Sequence, residues 1–209
     1  MRILIVDDHA ILRAGLKRIL EDEFRDAQVS EAGNAEEALR ALAQAPSEVV
    51  VLDISLPGRS GLDLLPEIRR EHPATRVIVL SSFGDQQFAV RSLREGAGAF
   101  LTKEHAASEL IEAIRTVVAG RRFVSAELAE QLAALVAADR PQHPHETLSA
   151  REFEVFRLIA CAKSVGDIGA ELGLSVKTVS TYRTRVLEKM GLSTNAELMQ
   201  YAIRHGLVS

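Results

Sequence analysis

Short apolar runs alternate with longer helical patterns five times over about the first 120 residues of this 209-residue chain. The runs are rich in Val, Ile and Leu without polar alternation, which is typical of strands that helices cover on both faces. Five such units predict an α/β fold with a doubly wound, five-stranded parallel sheet, because parallel strands require crossover connections. The predicted strands are Arg2–Val6, Gln28–Glu31, Val49–Leu52, Arg76–Leu80 and Ala99–Leu101. The first helical pattern is marked by Ile11, Leu12, Leu16, Ile19 and Leu20.

Residues 147–209 contain only helical patterns, which are bounded by capping signals. The signals are a Ser149–Glu152 capping box, Ser164 and Ser175 at two helix starts, Gly173 and Gly191 at two helix ends, and Asn195 at the start of a last helix. This part of the chain is therefore predicted to be a small all-α domain of four helices.

The segment between these two regions separates two predicted domains. Residues 125–138 are good helix formers, whereas Asp139–His145 has two prolines and no helical or strand period, which indicates an extended linker. We therefore predict a first domain over residues 1–122, a linker over 123–146 and a second domain over 147–209. A metal pair of His143 and His145 is disfavoured, because no cysteine lies nearby and a proline separates the two histidines.

Composition places the chain among ordinary globular proteins. Hydrophobic residues make up 47% and charged residues 26%, which excludes collagen-like, low-complexity and disulfide-scaffold proteins. The longest apolar stretches fall far short of the roughly 18 residues that a membrane span needs, and no secretory signal is visible. The single cysteine, Cys161, lies among apolar neighbours and is expected to be a small core residue. We expect a cytoplasmic protein with no membrane partner.

Charge differs between the two halves of the chain. Residues 1–138 carry 16 Lys and Arg against 21 Asp and Glu, whereas residues 139–209 carry nine against eight. Four cations, Lys177, Arg183, Arg185 and Lys189, accompany only one acid, Glu188, in residues 177–189. A basic helix suggests a polyanionic partner for the second half, although a solvated helix face explains the same residues.

Three carboxylates follow the ends of two predicted strands. Asp7 and Asp8 follow the first strand, and Asp53 follows the third. The carboxyl ends of adjacent parallel strands meet at one edge of the sheet, where ligands bind. Clustered carboxylates repel one another unless a cation lies between them, and Mg²⁺ prefers oxygen ligands of this kind. The sequence therefore predicts a Mg²⁺ site at this edge.

Two further strand ends complete the predicted site. Ser81 follows the fourth strand and offers a hydroxyl, and Lys103 follows the fifth and offers a charge that pairs with phosphate. Three acids, a hydroxyl and a lysine around one metal suit phosphoryl chemistry, with one carboxylate as the nucleophile. Each residue alone has an ordinary alternative role as a helix cap, a loop hydroxyl or a surface charge. Their joint placement at one edge argues against that alternative.

These residues lie in motifs that resemble those of a two-component receiver domain over about residues 1–120. The motifs are Leu4–His9, Val51–Gly58, Val79–Ser82 and Ala99–Lys103. The resemblance implies a flavodoxin-like fold in which Asp53 accepts a phosphoryl group from the phosphohistidine of a sensor histidine kinase. It also implies the following roles: Asp7, Asp8, Asp53 and the backbone carbonyl of Ser55 hold Mg²⁺, Lys103 pairs with the phosphoryl group, Ser81 bonds one of its oxygens, and Phe100 changes rotamer with it.

The second half resembles a LuxR-type helix-turn-helix domain of the NarL/FixJ class. The resemblance is carried by Leu148–Phe156, Ile168–Val179, Arg185–Gly191 and Glu197–Leu198. It implies a recognition helix in the major groove of double-stranded DNA, where phosphate contacts fix the register and base edges give specificity. The implied DNA-contacting residues are Lys177, Thr178, Ser180, Thr181, Arg183, Thr184, Arg185 and Lys189, of which Ser180, Thr181 and Thr184 face the bases.

Three places depart from the usual pattern of the LuxR-type domain. Ala162 stands where glycine often ends the first helix, and residues 165–167 replace Asn-Lys-Glu at the start of the second. Gly169 stands where alanine is usual, at a cost of about 1 kcal/mol inside a helix. These departures concern the geometry of the turn and remove one basic side chain.

The two resemblances together imply a transcriptional response regulator, not a turnover enzyme, that binds DNA as a homodimer when Asp53 is phosphorylated. Three alternative functions compete with this interpretation. A Mg²⁺-dependent phosphohydrolase is disfavoured because the Asp-x-Asp pair of aspartate-based phosphatases is missing, as is a P-loop. A regulator that senses a small molecule is disfavoured because only 4% of residues are aromatic. A receiver that works without phosphorylation is left open.

Overall fold

The computed structural model describes residues 1–82, 86–125, 128–130 and 143–208. The chain divides into two compact units, Met1–Val136 and Ala137–Ser209. Most of the helix predicted over residues 125–138, and residues 139–142 of the predicted linker, lie outside the described residues. Within the described part of the chain, no helix is both long and apolar enough to cross a membrane.

The first unit contains a parallel sheet, as predicted. Its strands are β1 Arg2–Val6, β2 Gln28–Ala32, β3 Val49–Asp53, β4 Arg76–Ser81 and β5 Ala99–Thr102. Their order, β2-β1-β3-β4-β5, is flavodoxin-like and places β1 beside β3 at the point where the strand order reverses. The last four strands each extend one residue further than predicted. Asp53 and Ser81 are therefore the last residues of their strands and do not follow them.

The helices of the first unit bury apolar side chains against this sheet. They are α1 Ala10–Glu23, α2 Ala35–Gln44, α3 Gly61–Glu71, α4 Gln86–Arg94 and α5 Lys103–Val118. Leu16 and Leu20 of α1 pack with strand residues and with Ile114 of α5 in one core cluster. The sequence pattern was wrong for Ile11, whose exposed fraction is 91%. At 3.6 residues per turn Ile11 lies about 140° around the helix from Leu16, and therefore faces away from the sheet.

The second unit is a small helical domain. A 3₁₀ turn, Pro144–Thr147, precedes α6 Ala150–Ala160, α7 Val165–Leu172, α8 Val176–Met190 and α9 Asn195–Arg204. The predicted caps are confirmed: Ser149 and Glu152 form a capping box, Ser164 and Ser175 accept hydrogen bonds at their helix starts, and Gly173 and Gly191 end their helices in the left-handed conformation.

The prediction that the extended linker continues to His145 was wrong. His145 lies in the 3₁₀ turn and is buried, because its ring packs against Phe153 and Tyr201. Its Nδ1 lies 2.7 Å from the hydroxyl oxygen of Tyr201. This contact fixes residues 144–147 onto the helical domain.

Two residues that depart from the usual helix-turn-helix pattern have structural explanations. A Cβ atom at Gly169 would lie 2.7 Å from the backbone oxygen of Leu174, so only glycine permits this close approach in the turn. Ala162 has a φ angle of +61°, in the left-handed region that glycine usually occupies after a helix. The helix end keeps the usual hydrogen bond from the N–H of Lys163 to the carbonyl of Leu158. The backbone geometry is thus retained at the cost of local strain.

Candidate phosphoacceptor site and DNA-binding helix

The loop between β1 and α1 carries two acids and a histidine. Asp7 is fully buried, and its Oδ1 accepts a hydrogen bond of 2.8 Å from the backbone N–H of His9. The Nδ1 atom of His9 lies 3.0 Å from Oδ1 of Asp7 and 2.7 Å from Oδ1 of Asp8. Because 32% of the Asp8 side chain and 64% of the His9 side chain are exposed, these two residues form the open rim of the site.

Asp53 and Lys103 meet at the carboxyl edge of the sheet. Asp53 is fully buried, and its Oδ2 lies 2.8 Å from Nζ of Lys103, which also lies 2.7 Å from Oδ2 of Asp7. One ammonium group therefore joins two buried carboxylates from adjacent strands. Among the described residues, no hydrogen-bond partner reaches Oδ1 of Asp53, which is buried.

Burial and charge act against each other in this cluster. Burial and, to a smaller extent, Asp7 raise the pKa of Asp53, Lys103 and the backbone N–H of Ser55 oppose the rise, and the net pKa is about 6. Burial lowers the pKa of Lys103, but its attraction to Asp53 and Asp7 is larger, so the pKa is raised overall. Near neutral pH, Asp53 is a buried carboxylate of raised basicity beside a permanent cation.

Gly61 holds the loop that follows Asp53 in place. A Cβ atom at Gly61 would lie 1.9 Å from the backbone oxygen of Asp53, so no other residue fits without moving that strand end. The N–H of Gly61 and the hydroxyl of Ser60 both donate to the carbonyl of Ile54, at 2.8 and 3.1 Å. The backbone beside Asp53 is thus fixed by a closed loop.

The predicted DNA-contacting residues all lie on α8. Lys177, Thr181 and Thr184 share one exposed stripe, because they are spaced four and three residues apart. The apolar side chains of Val179, Val186 and Met190 are buried on the opposite side of the helix. This helix therefore presents a hydroxyl-rich and basic face to solvent.

Several of these side chains are engaged within the protein. Arg183 donates to Asn195 at 2.6 Å, and Lys189 donates to the Glu152 carboxylate at 2.6 Å. The hydroxyls of Thr178, Thr181 and Thr184 lie within hydrogen-bond distance of Ser175 Oγ, the Lys177 carbonyl and the Ser180 carbonyl, respectively. Ser180 and Arg185 are exposed.

Comparison with known families places both units. Residues 3–115 match the response regulator receiver domain, and residues 146–202 match the luxR family of bacterial regulatory proteins. The chain belongs to the two-component response regulators. Response regulators with a LuxR-type unit are transcription regulators and not turnover enzymes, and that unit is their DNA-binding domain.

Relatives of this response regulator share its whole length. The response regulator GacA of Pseudomonas viridiflava is 36% identical over 100% of this chain and 98% of its own. UvrY of Escherichia coli is 34% identical over 99% of this chain and 95% of its own. The solved RcsB response regulator of Salmonella typhimurium is 25% identical and covers 96% of both chains, with a TM-score of 0.69. RcsB has also been solved with DNA and as dimers bound to DNA.

The remaining predicted receiver residues of this response regulator lie in β4, in β5 and just after β3. Ser81 is buried and follows Leu80, which is the register partner of Asp53 on the neighbouring strand. Phe100 is buried in β5, opposite Val79 of β4. The backbone N–H of Ser55 reaches Asp53. The structure therefore brings Asp7, Asp8, Asp53 and Lys103 together directly, and the functional roles of all these residues stay predictions.

Sequence reasoning missed three residues that shape this site: His9, Gly61 and Arg13. Arg13 donates through Nη1 to the backbone carbonyl of Asp7 at 2.5 Å and through Nε to Glu31 at 3.3 Å. It thus anchors the acidic loop to β2. A basic residue one helical turn beyond an acidic loop is the sequence signal for such a contact. The sequence does not show, however, that the side chain of Arg13 folds back onto the loop.

The donor set fits a divalent cation. Four residues, Asp7, Asp8, His9 and Asp53, offer ligand atoms that all lie within 4.8 Å of one another. Three carboxylates against one ammonium leave two negative charges uncompensated when all are ionised, and one buried oxygen of Asp53 lacks a partner among the described residues. A hard cation with oxygen ligands matches both features.

Two further expectations concern the second unit. Cys161, expected in the core, is exposed at the end of α6, because the chain leaves the helix there. The ring centroids of His143 and His145 are 5.4 Å apart, with their planes stacked at 9°. Stacked rings do not direct their nitrogens at a common ion, and these histidines instead pack with His205 and Tyr201.

Proposed function

We propose that Mg²⁺-dependent phosphorylation of Asp53 switches this response regulator, and that the switch controls DNA binding by a homodimer. The observation that carries the proposal is the buried pair of Asp53 and Asp7 carboxylates, joined by Lys103 at the carboxyl edge of the sheet. A sensor histidine kinase is the partner that a receiver domain requires. Because DNA is the other partner, we place the protein in the cytoplasm.

Phosphoryl transfer needs an ionised carboxylate that can reach phosphorus. An oxygen of Asp53 attacks the phosphorus of the kinase phosphohistidine, a P–O bond forms as the P–N bond breaks, and the electron pair goes to the histidine nitrogen, which takes a proton. Asp53 suits this role because burial raises its pKa to about 6, which increases its basicity while leaving it ionised near neutral pH.

Asp7, Asp8, Asp53 and the backbone carbonyl of Ser55 would hold the Mg²⁺. When bound, the ion supplies electrostatic stabilisation for the oxygens of the transferring phosphoryl group. Lys103 already lies 2.8 Å from Asp53 and is placed to pair with a phosphoryl oxygen. Gly61 and Ser60 keep the loop around these groups in position.

The new aspartyl phosphate carries negative charge and acceptor oxygens beside Ser81. Ser81 would donate its hydroxyl to one of those oxygens, and the inward movement would open space for Phe100, which is buried on the adjacent strand. A change of the Phe100 rotamer would reshape the surface near α4 and α5. A local charge event of this kind biases a two-state surface.

DNA recognition is proposed for the exposed face of α8. Ser180, Thr181 and Thr184 would face base edges, and Lys177, Thr178, Arg183, Arg185 and Lys189 would contact or flank the phosphates. The complex of the related RcsB with DNA supports DNA binding by this domain. Since short hydroxyl side chains discriminate weakly between bases, specificity would also depend on DNA shape and on half-site spacing.

A homodimer follows from the small size of this basic face. Two copies on half-sites about 10 base pairs apart would double the phosphate contacts. Dimers of the related RcsB on DNA support binding as a dimer.

The first experiment is the intact mass of the full chain after incubation with Mg²⁺ and a small acyl phosphate. We expect one phosphoryl adduct on the wild type and none on Asp53→Asn. Asp63→Asn is the matched control, because Asp63 is an exposed residue in the first turn of α3. An adduct on Asp53→Asn, or none on the wild type, would contradict the phosphoacceptor assignment.

The second experiment measures sedimentation and duplex-DNA binding of the same three proteins with and without the acyl phosphate. We expect phosphorylation to increase the dimer fraction and the DNA affinity of the wild type and of Asp63→Asn only. Tight DNA binding that is unchanged by a stoichiometric phosphoryl adduct would show a receiver that works without phosphorylation.

A further inference from the structure

His9 borders the acidic site and contributes the one nitrogen ligand among its candidate donor atoms. We infer that Nδ1 of His9 is a metal ligand, so that this pocket also binds a nitrogen-preferring transition metal such as Ni²⁺ or Co²⁺. The inference rests on the metal site of the proposed function. It adds a residue and a class of ion to that site.

The spacing of the donor atoms supports coordination by His9. Two neighbouring ligands of an octahedral ion, each about 2.1 Å from the metal, lie about 3.0 Å from each other. Nδ1 of His9 lies 3.0 Å from Oδ1 of Asp7 and 2.7 Å from Oδ1 of Asp8. Both distances are therefore close to the separation of neighbouring ligands around one ion.

The remaining side of the site is also prepared for an ion. The Oδ2 atoms of Asp7 and Asp53 both contact Lys103, whereas the buried Oδ1 atom of Asp53 has no hydrogen-bond partner among the described residues. All four candidate residues place a donor atom within 4.8 Å of one another. The exposed rim formed by Asp8 and His9 gives an ion a direct path from solvent.

The chemistry of the donor set decides which ion gains from His9. Carboxylate and carbonyl oxygens suit Mg²⁺ and Mn²⁺, whereas an imidazole nitrogen suits Ni²⁺, Co²⁺ and Zn²⁺. Without an ion, Nδ1 of His9 carries the hydrogen that bonds the Asp7 and Asp8 carboxylates. A bound ion would take the place of that hydrogen, and the ring, with its hydrogen on Nε2, would then offer the lone pair of Nδ1. Adding this nitrogen to three carboxylates therefore strengthens binding of the transition metals and leaves that of Mg²⁺ almost unchanged.

The test is calorimetric titration of the full chain with Ni²⁺ and, separately, with Mg²⁺, for the wild type, His9→Ala and His143→Ala. His143→Ala is the control for adventitious binding, because His143 lies in the histidine cluster of the second unit. A second readout is the visible absorption of bound Co²⁺, which changes when a nitrogen ligand is replaced by oxygen.

We expect His9→Ala to weaken Ni²⁺ binding by at least about tenfold. Loss of a residue that only orients a metal ligand already weakens metal binding by about 10- to 100-fold, and loss of a direct ligand should not weaken it less. Mg²⁺ binding should change by less than about twofold, excess Mg²⁺ should weaken Ni²⁺ binding to the wild type, and His143→Ala should bind as the wild type does.

Mg²⁺ binding with no effect of His9→Ala on Ni²⁺ would overturn this inference alone. An equal loss of both metals would show that His9 has only a structural role. Failure of the wild type to bind Mg²⁺ would overturn the metal site of the proposed function as well.

Discussion

The ammonium group of Lys103 lies 2.8 Å from Oδ2 of Asp53 and holds together two carboxylates that would otherwise repel each other. Removing one partner of a buried ion pair leaves an uncompensated charge, which costs about 3–5 kcal/mol. We expect Lys103→Met to lower the free energy of unfolding of the first unit by about 3 kcal/mol at pH 7 without divalent ions. Chemical denaturation followed by circular dichroism measures this change.

The loss caused by Lys103→Met should shrink at lower pH. Lys103 lowers the pKa of Asp53, so in Lys103→Met that pKa rises above the wild-type value of about 6. As the pH falls towards 6, Asp53 of the variant therefore takes up a proton and no longer needs the cation. Lys17→Met is the matched control, since Lys17 forms a partly exposed pair of 3.4 Å with Glu31 and such pairs contribute less than about 1 kcal/mol. Equal losses in the two variants would contradict the assigned role of Lys103.

Gly61→Ala is expected to damage the site more than an ordinary glycine substitution. Its Cβ atom would lie 1.9 Å from the backbone oxygen of Asp53, so β3 and α3 must separate. We expect a loss of more than about 3 kcal/mol of unfolding free energy and a strongly reduced phosphoryl adduct. Gly15→Ala is the control, because a Cβ atom there meets nothing within 4 Å and alanine favours a helix by about 1 kcal/mol. A neutral Gly61→Ala would refute the close approach.

The convergence of Asp7, Asp53 and Lys103 could be predicted from the sequence, because strand periodicity fixes where each strand ends and parallel strands end at one edge. The contributions of Gly61 and Arg13 could not. The need for glycine at position 61 arises from a distance to the Asp53 carbonyl, and Arg13 acts by folding back onto the loop before its own helix. Both depend on loop closure, which leaves no periodic signal.

In the helical domain, too, contacts between residues close in sequence could be predicted and contacts between distant residues could not. Caps such as Ser149 with Glu152 were predictable because the partners are three residues apart. The bond between Lys189 and Glu152 joins residues 37 positions apart. The sequence therefore did not reveal it, and the sequence-based prediction assigned Lys189 to DNA phosphate. The burial of His145 likewise depends on Tyr201 from the last helix.

Ala162→Gly should stabilise the second unit. Ala162 occupies the left-handed region, with φ of +61°, which costs a residue with a Cβ atom about 1 kcal/mol. We expect a gain of about that size in unfolding free energy, partly offset by the greater freedom of glycine in the unfolded chain. Tyrosine fluorescence reports this unit, because the two tyrosines of the chain, Tyr182 and Tyr201, both lie in it.

Gly191→Ala is the reciprocal test of the same backbone effect. Gly191 has φ of +64°, and a Cβ atom there would meet nothing within 4 Å, so only strain distinguishes the two residues. It should destabilise the unit by about 1 kcal/mol. Substitutions that shift stability in the same direction at both positions would refute the strain argument.

Lys177 and Lys189 should differ in their contribution to DNA binding. Lys177 is exposed, and no acid within the described ranges forms an ion pair with it, whereas Lys189 is held by Glu152 at 2.6 Å. Lys177→Ala should reduce the slope of log affinity against log salt by about 0.9 on duplex DNA. Lys189→Ala should change the slope less and reduce stability instead. Equal slope changes would contradict this assignment.

Glu188 provides a control of opposite sign. It is exposed four residues beyond Thr184, on the same stripe of α8 as Lys177. We expect Glu188→Gln to increase DNA affinity at low salt, because a like charge is removed from the face that approaches the phosphates. A fluorescence titration of labelled duplex at several salt concentrations measures all three variants, and weaker binding by Glu188→Gln would place the DNA elsewhere.

His145 should make the second unit less stable in acid. Burial and, to a smaller extent, the neighbouring His143 and His205 together lower the pKa of His145 to about 4, and Glu146 and Tyr201 lie beside them. The pKa of a histidine in the unfolded chain is near 6.5, so between about pH 4 and 6.5 the unfolded chain binds a proton that the folded unit does not bind. Stability from this group is complete above about pH 6.5 and falls as the pH decreases towards 4, by at most about 3 kcal/mol.

The measurement is urea unfolding of the full chain between pH 4 and 7, followed by tyrosine fluorescence, for the wild type and His145→Phe. Phenylalanine keeps an aromatic ring against Phe153 but cannot titrate. Because carboxylates also titrate in this range, the difference between the two proteins isolates His145. The wild type should lose more stability than the variant as the pH falls from 6.5 towards 4, since only its unfolded state gains the additional proton. Parallel curves for the two proteins would mean that His145 is as free to take up a proton in the folded unit as in the unfolded chain.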